Sequence, residues 1–202
     1  NPSIELESPK INSRHPIYLT LEESKQLLSS IDGENKERDY AIVTLFLNCG
    51  LRLSELISID INKISNDILT VIGKGSKERT VYLNNACMDA INNYLKVRPV
   101  DDVKDKNALF LSERKRRISK RTVQYLVKKY IGISNLDMEK YSPHKLRHTA
   151  ATLMYKYGKV DIRSLQQILG HENISTTQIY THLDDETLRN AINANPLSEE
   201  KK

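Results

Sequence analysis

Tyr141 to His182, YSPHKLRHTAATLMYKYGKVDIRSLQQILGHENISTTQIYTH, holds four of the chain's five histidines and two helix patterns in succession. Ser142-Pro143 reads as a helix start, with the serine able to cap free amides and proline tolerated at the first helical position. Helical spacing then brings His144, Arg147, His148 and Ala151 near one another, while Leu146, Ala150, Leu153 and Met154 supply packing positions. Asp161 reads as the cap of a second helix that buries Ile162, Leu165, Ile168 and Leu169 and stops at Gly170. His171 comes directly after that stop, and a short helical stretch, Ser175 to Tyr180, carries a tyrosine near its end. The first helix is a platform, anchored on its apolar side and offering an imidazole and a guanidinium one turn apart, and chemistry is to be sought in this stretch.

A histidine and an arginine one turn apart suit a phosphodiester better than a metal ion. Arginine offers a planar fork to two phosphate oxygens, and a nearby imidazole can donate to another or move a proton. A satisfied histidine beside a surface arginine explains the same residues, and this stretch alone leaves the two readings level. Metal ligation wants converging His, Cys, Asp or Glu, whereas Cys49 and Cys87 read as isolated from each other and from the cluster. Neither a metal nor any other cofactor is expected.

Upstream, Thr20-Leu21-Glu22-Glu23 forms a capping box for a helix of about three turns with Leu27, Leu28 and Ile31 inward. Tyr40 to Leu47, YAIVTLFL, reads as a largely buried helix ended by Gly50. Arg52 comes next in GLRLSELISI, where a short helix turns Leu53, Leu56 and Ile57 inward. It is either a snorkelling side chain or a positioned anion ligand.

From Ile57 to Leu83 the period shortens towards two. Ile61, Ile64, Ile68, Val71 and Ile72, then Thr80 to Leu83, read as β-strands joined by a hairpin turn at Gly73-Lys74-Gly75-Ser76-Lys77. Lys74 at that tip can serve a leaving oxygen or a phosphate, or simply solubility, and Lys77 and Arg79 fit either account. The GKG lacks the spacing of a nucleotide-binding P-loop. Asn84 caps a further helix expected to bury Met88, Ile91, Tyr94 and Leu95 and to end by Pro99. Ala108 to Leu111 reads as a brief buried strand or landing segment. Arg114, Lys115, Arg116 and Arg117, then Lys120 and Arg121, surround a Ser119-capped helix packed through Val123, Leu126, Val127 and Ile131. This basic stretch is either a DNA-backbone contact, releasing counterions as phosphates are neutralised, or solvated surface.

At 202 residues with 39% hydrophobic content, the chain supports one substantial core. A net charge of +5 permits a polyanionic partner without requiring one. Two cysteines exclude a disulfide scaffold, and no apolar run is long enough to span a bilayer or act as a signal peptide, so a cytoplasmic setting is the simplest expectation.

Taken together, GLRLSEL around Arg52, GKGSKER around Lys74, SPHKLRHTAATLM with His144 and Arg147, LGH ending at His171 and TTQIYTH with Tyr180 resemble the catalytic domain of tyrosine recombinases. Xer-like enzymes and mobile-element integrases are the nearest in pattern, and the five motifs run in order from about Thr20 to His182. The resemblance implies an α+β, mainly α catalytic domain with a small antiparallel β-sheet at one edge. It implies that Tyr180 attacks the scissile phosphate to give a 3′-phosphotyrosyl intermediate and a free 5′-hydroxyl, so that rejoining needs neither metal nor ATP.

In that scheme Arg52 and Arg147 hold the nonbridging oxygens, His171 donates to the phosphate, Lys74 protonates the leaving oxygen and His144 assists the proton at the tyrosine. Glu55 either orients the arginines or makes a plain salt bridge. The expected partner is a double-stranded DNA recombination site, with a homo-tetramer on two sites for a full-length enzyme, a monomer for a fragment, and a nucleoid-associated location. A type IB topoisomerase and a noncatalytic DNA-binding domain are the rival readings.

The expected division is residues 1–18 as an interdomain linker or N-terminal arm, 19–183 as the catalytic domain, and 184–202 as a final helix and charged tail. That helix, with Leu188, Ala191 and Ile192 on one side, docks either on its own domain or on a neighbouring protomer. The polar, proline-containing opening at Asn1 reads as part of a fragment that lacks the core-binding domain of full-length members.

Overall fold

A helix that is apolar on every side has to be surrounded, and Tyr40 to Leu47 meets that condition. The computed structural model describes residues 17–73, 75, 78–170 and 185–201. In it α2 (Lys36–Cys49) is buried from Arg38 to Cys49 and ends at Gly50 in the left-handed conformation. Around it pack α1 (Leu21–Ser29), α4 (Asn85–Val97), α5 (Lys120–Ile133) and α6 (Pro143–Lys156). The remaining described helices are α3 (Leu53–Ile57), α7 (Ile162–Leu169) and α8 (Asp185–Asn193).

Local signals account for most boundaries. Thr20 and Glu23 close the capping box of α1 from both sides. Asn84 caps α4 through Cys87, Ser119 caps α5 through Thr122, and Asp161 caps α7 through Arg163 and Ser164. Pro143 opens α6, but Ser142 makes no side-chain cap bond, so the proline alone marks that start. Arg98, extended before Pro99, ends α4. Two apolar positions face water instead of the core: Leu95 and Ile162 are 37% and 61% exposed. Leu95 follows the inward Tyr94, and Ile162 stands between exposed Asp161 and Arg163 in the first turn of α7, before the inward Ser164 and Leu165.

A three-stranded antiparallel sheet runs in the order β1 (Ile64–Ser65), β2 (Ile68–Ile72), β3 (Glu78–Tyr82). Ile61 belongs to a 3-10 turn before β1, not to a strand. The register pairs Leu69 with Val81 and Val71 with Arg79, so these four share one face. Leu69, Val71 and Val81 join the main core. Ile68 and Tyr82 face a second cluster with Ala150, Met154, Leu165 and Ile168. Segment 108–111 is buried and contributes isolated bridges, Asp60 with Ala108 and Leu111 with Arg117.

The last described helix docks on its own domain. Leu188, Ala191 and Ile192 of α8 enter the second cluster, and Arg189 pairs with Asp67 at 2.8 Å. The segment beyond α8 is more than a charged tail. Leu197 is fully buried, Asn195 Nδ2 donates to the Leu47 carbonyl at 3.0 Å, and the amide of Ala86 donates to the carbonyl of Ser198. Among the described residues no helix is long and apolar enough to cross a membrane.

Candidate active site

Three elements from distant parts of the sequence meet at the end of α7. Gly50 turns the chain out of α2 and delivers Arg52 to the start of α3, β3 supplies Arg79, and α6 supplies Arg147. A helix end leaves carbonyls without partners and carries partial negative charge, which favours cations. Here three consecutive carbonyls each receive a different arginine. Arg79 Nη1 donates to Ile168 at 2.7 Å, Arg147 Nη2 to Leu169 at 2.6 Å, and Arg52 Nη2 to Gly170 at 2.7 Å. Arg147 also donates through Nη1 to the carbonyl of Gly50.

Two glycines make this approach possible. Gly50 and Gly170 both have positive φ, at 59° and 60°. A Cβ on Gly50 would lie 2.7 Å from Leu169 Cδ2, and one on Gly170 would lie 3.0 Å from Arg79 Cδ.

Glu55, fully buried, ties the arginines together. Its Oε1 accepts from Arg52 Nη1 at 2.9 Å and Arg79 Nε at 3.0 Å. Its Oε2 accepts from the Arg52 backbone amide at 2.7 Å and Arg79 Nη2 at 2.8 Å. Four donors satisfy the carboxylate. Burial works to raise the Glu55 pKa, but the hydrogen bonds and charge of Arg79, joined by the backbone and side-chain hydrogen bonds of Arg52, hold it below the ordinary value. Arg147 is pushed down to about 10 by burial and then by the like charge of Arg52, with Glu55 opposing and Arg79 adding to the effect. It stays charged at neutral pH. Three guanidinium groups and one carboxylate leave this corner with excess positive charge and with N–H groups of Arg52 and Arg147 beyond those already engaged, which suits an anion.

His144, one turn before Arg147 on α6, is exposed, and its Nε2 lies 2.8 Å from Nε2 of His148. The two rings meet edge to face at 4.4 Å. Although the residue is exposed, partial desolvation of its ring, followed by the charges of Lys145 and Arg147, lowers the His144 pKa, so a neutral ring able to accept a proton is favoured.

The structure thus brings together Arg52, Glu55, Arg147 and, one turn from Arg147, His144. Lys74, Lys77, His171 and Tyr180 lie outside the described residues. Arg114, Arg116, Lys120 and Arg121 are exposed on the loop before α5 and its first turn, and Lys115 donates to the carbonyl of Asp101 at 3.1 Å. Arg117 turns inward. Its guanidinium binds Asp60 at 2.5 Å and Asp105 at 2.8 Å and donates to the carbonyls of Ile57 and Ile59, fastening the basic loop to the segment after α3. Two of the residues named from sequence make contacts that the sequence reading did not assign, the His144–His148 pair and the inward Arg79. His148 is signalled by its four-residue spacing from His144, and the inward set of Arg79 by its alternation with Val81.

A model of the phage integrase family matches residues 18–187, and the chain belongs to that family. Within it, the chain is 70% identical over 200 residues to the tyrosine recombinase XerC of Caldanaerobacter subterraneus subsp. tengcongensis, covering 99% of this chain and 57% of that protein. It is 39% identical to the tyrosine recombinase XerD of Proteus mirabilis, covering 94% of this chain and 62% of that protein. The crystal structure of XerA recombinase superposes with a TM-score of 0.71 at 35% identity, over 87% of this chain and 64% of that one. The XerH site-specific recombinase bound to difH substrate in a pre-cleavage complex gives 0.69 at 28%, over 88% and 54%. The chain therefore spans a little over half to under two thirds of the length of these relatives.

Proposed function

We propose that this chain is the catalytic domain of a site-specific DNA recombinase that cleaves and rejoins strands through a tyrosine. Tyr180 attacks the scissile phosphate, forming a 3′-phosphotyrosyl bond as the bond to the 5′ oxygen breaks. Lys74 gives that oxygen its proton, and a freed 5′-hydroxyl later reverses the step on an exchanged strand. The phosphotyrosyl bond conserves the energy of the phosphodiester, so rejoining needs no ATP, and the arginine, lysine and histidine side chains supply the positive charge that a metal ion would otherwise bring.

The observation that carries this reading is the convergence of Arg52 and Arg147 on the last carbonyls of α7, directly before His171 in sequence. Both guanidinium groups are held before any phosphate arrives, and preorganised donors stabilise the charge that builds on the nonbridging oxygens. His171 adds a further donor, and His144 handles the tyrosine proton. Lys77, Arg114, Lys115, Arg116, Lys120 and Arg121 grip the DNA backbone. In the longer protein the working assembly is a homo-tetramer on two double-stranded sites at the nucleoid.

The test is covalent capture. Wild type and Tyr180→Phe are incubated with nicked recombination-site DNA from the Xer relatives, in excess EDTA, and denatured. A conjugate is expected with the wild type only. A conjugate undiminished in Tyr180→Phe removes Tyr180 as nucleophile, and loss of the wild-type conjugate in EDTA removes the metal-free mechanism.

A further inference from the structure

Arginine on a strand is ordinarily a surface residue, yet Arg79 occupies an inward position of β3. The register sets it opposite Val71 on the face shared by Leu69 and Val81, and its side chain is only 15% exposed. Its partners among the described residues are internal. Nε and Nη2 fork onto the two oxygens of Glu55, and Nη1 reaches the Ile168 carbonyl. The side chain therefore spans from the carboxylate that holds Arg52 to the helix end that receives it.

These contacts close a ring. Arg79 sets the plane of the Glu55 carboxylate; Glu55 takes Arg52 through both its backbone amide and Nη1; Arg52 reaches Gly170; and the chain returns through Leu169 to Ile168, which Arg79 holds. A bidentate fork fixes orientation in a way that a single ammonium point charge cannot. Arg52, with a side chain 33% exposed, is the outward member of this ring, while Glu55 is fully buried and Arg79 nearly so. If Arg79 served only overall charge, one contact to Glu55 would suffice. The third bond to Ile168 links the aim of Arg52 to the position of the helix end before His171.

We propose that Arg79 is a positioning residue for strand cleavage, aiming Arg52 through Glu55 and fixing the end of α7 without touching DNA. This rests on the recombinase reading above. It predicts that Lys at this position, although it keeps the charge, leaves Glu55 held on one side and Ile168 without its donor.

Arg79→Lys is compared with wild type in single-turnover cleavage of nicked site DNA at saturating concentration, alongside DNA affinity over a range of salt. Cleavage is expected to slow by about tenfold to a hundredfold, the scale of a small misplacement of a reacting group. Affinity and the slope of log Kd against log salt should match wild type. Arg79→Lys should slow a Glu55→Gln protein by a smaller factor than it slows wild type, because the path through Glu55 is already cut and only the bond to Ile168 remains to be lost. Wild-type cleavage by Arg79→Lys overturns the proposal. So does a loss confined to affinity with a salt slope reduced by about one, the mark of a direct phosphate contact.

If Arg79→Lys fails to fold, Glu55→Gln combined with Arg79→Gln, which buries no lone charge, replaces it. Slow cleavage with unchanged affinity then supports positioning, and the wild-type rate overturns it. A readout without chemistry separates this idea from the recombinase reading. The Nε–H resonance of Arg52, assigned by its loss in Arg52→Lys, should shift or broaden in the Arg79 variant. A failed wild-type conjugate strikes the recombinase reading alone, and an unmoved Arg52 resonance strikes the positioning of Arg52 alone.

Discussion

Arg147 Nη2 donates to the carbonyl of Leu169 at 2.6 Å, so a side chain proposed to hold a phosphate is itself held by a helix end. The same guanidinium reaches Gly50, and α6, α7 and the exit of α2 are joined by one buried side chain. Lys in its place has one nitrogen and cannot serve both carbonyls in that geometry. We expect Arg147→Lys to lose about 1–3 kcal/mol of stability, the cost of a buried acceptor left without its donor. Cleavage should fall by a larger factor than the population of folded protein. Urea denaturation with conjugate formation measures both, and unchanged stability would show that the two carbonyls find other donors.

Gly170 is the point where helix end and arginine cluster come closest. Alanine there meets a left-handed φ of 60° and places a methyl 3.0 Å from Arg79 Cδ. Backbone strain alone costs about 1–2 kcal/mol. Gly170→Ala should therefore lower the midpoint of unfolding and slow cleavage together, while Gly33→Ala, also at positive φ but with open space around it, should affect stability only. Equal cleavage by Gly170→Ala and wild type would count against a rigid end of α7.

Much of this arrangement is legible in sequence, for identifiable reasons. The caps of α1, α5 and α7, the glycine stops after α2 and α7, and the all-round apolar character of α2 are local signals written within a few residues. Arg52, His144 and Arg147 can be found because motif order relates them. Leu95 and Ile162 depart from the inward pattern because a helix turns about 100° per residue, and an apolar side chain at the edge of a stripe faces water or core according to what packs there. Arg79 and Arg117 read in sequence as DNA contacts or solvated surface, and instead turn inward, because their partners are distant: Glu55 and Ile168 for one, Asp60 and Asp105 for the other. Charge runs do not disclose such pairings.

Glu55 links pH to stability. Its folded pKa is depressed below the ordinary 4.5, with burial opposing and Arg79 and Arg52 prevailing. A depressed carboxylate contributes stability that is present above its unfolded pKa and is lost as pH falls through the folded value. Glu55→Gln should therefore be less stable than wild type at neutral pH, and the gap should narrow as the solution is acidified below 4.5. Parallel curves of unfolding free energy against pH for the two proteins would contradict this linkage.

His144 shifts in the same sense as Glu55. Its pKa is lowered from 6.5 by burial first and then by Lys145 and Arg147, so the ring remains neutral into mildly acidic solution. Because the folded protein binds that proton less readily than the unfolded chain, this group lowers stability as pH falls below 6.5. Titration of the His144 ring by NMR, assigned through His144→Gln, should give a midpoint below 6.5. A midpoint at or above 6.5 would mean that His148, 2.8 Å away, stabilises the charged ring instead.

The segment after α8 provides a final test, of the packing that supports the site from behind. Leu197 is fully buried in the main core, and its amide is held by Asn195, whose own side chain donates to Leu47 in α2. Leu197→Ala should cost about 2–5 kcal/mol, the range for emptying a buried leucine site. Glu199, whose side chain meets exposed Asn85, provides the control, and Glu199→Ala should change stability by no more than about 0.5 kcal/mol. If this segment left its groove for a neighbouring protomer in solution, the Leu197→Ala loss would grow with protein concentration. Docking on its own domain instead gives a loss independent of concentration, measured by urea denaturation across roughly a hundredfold range.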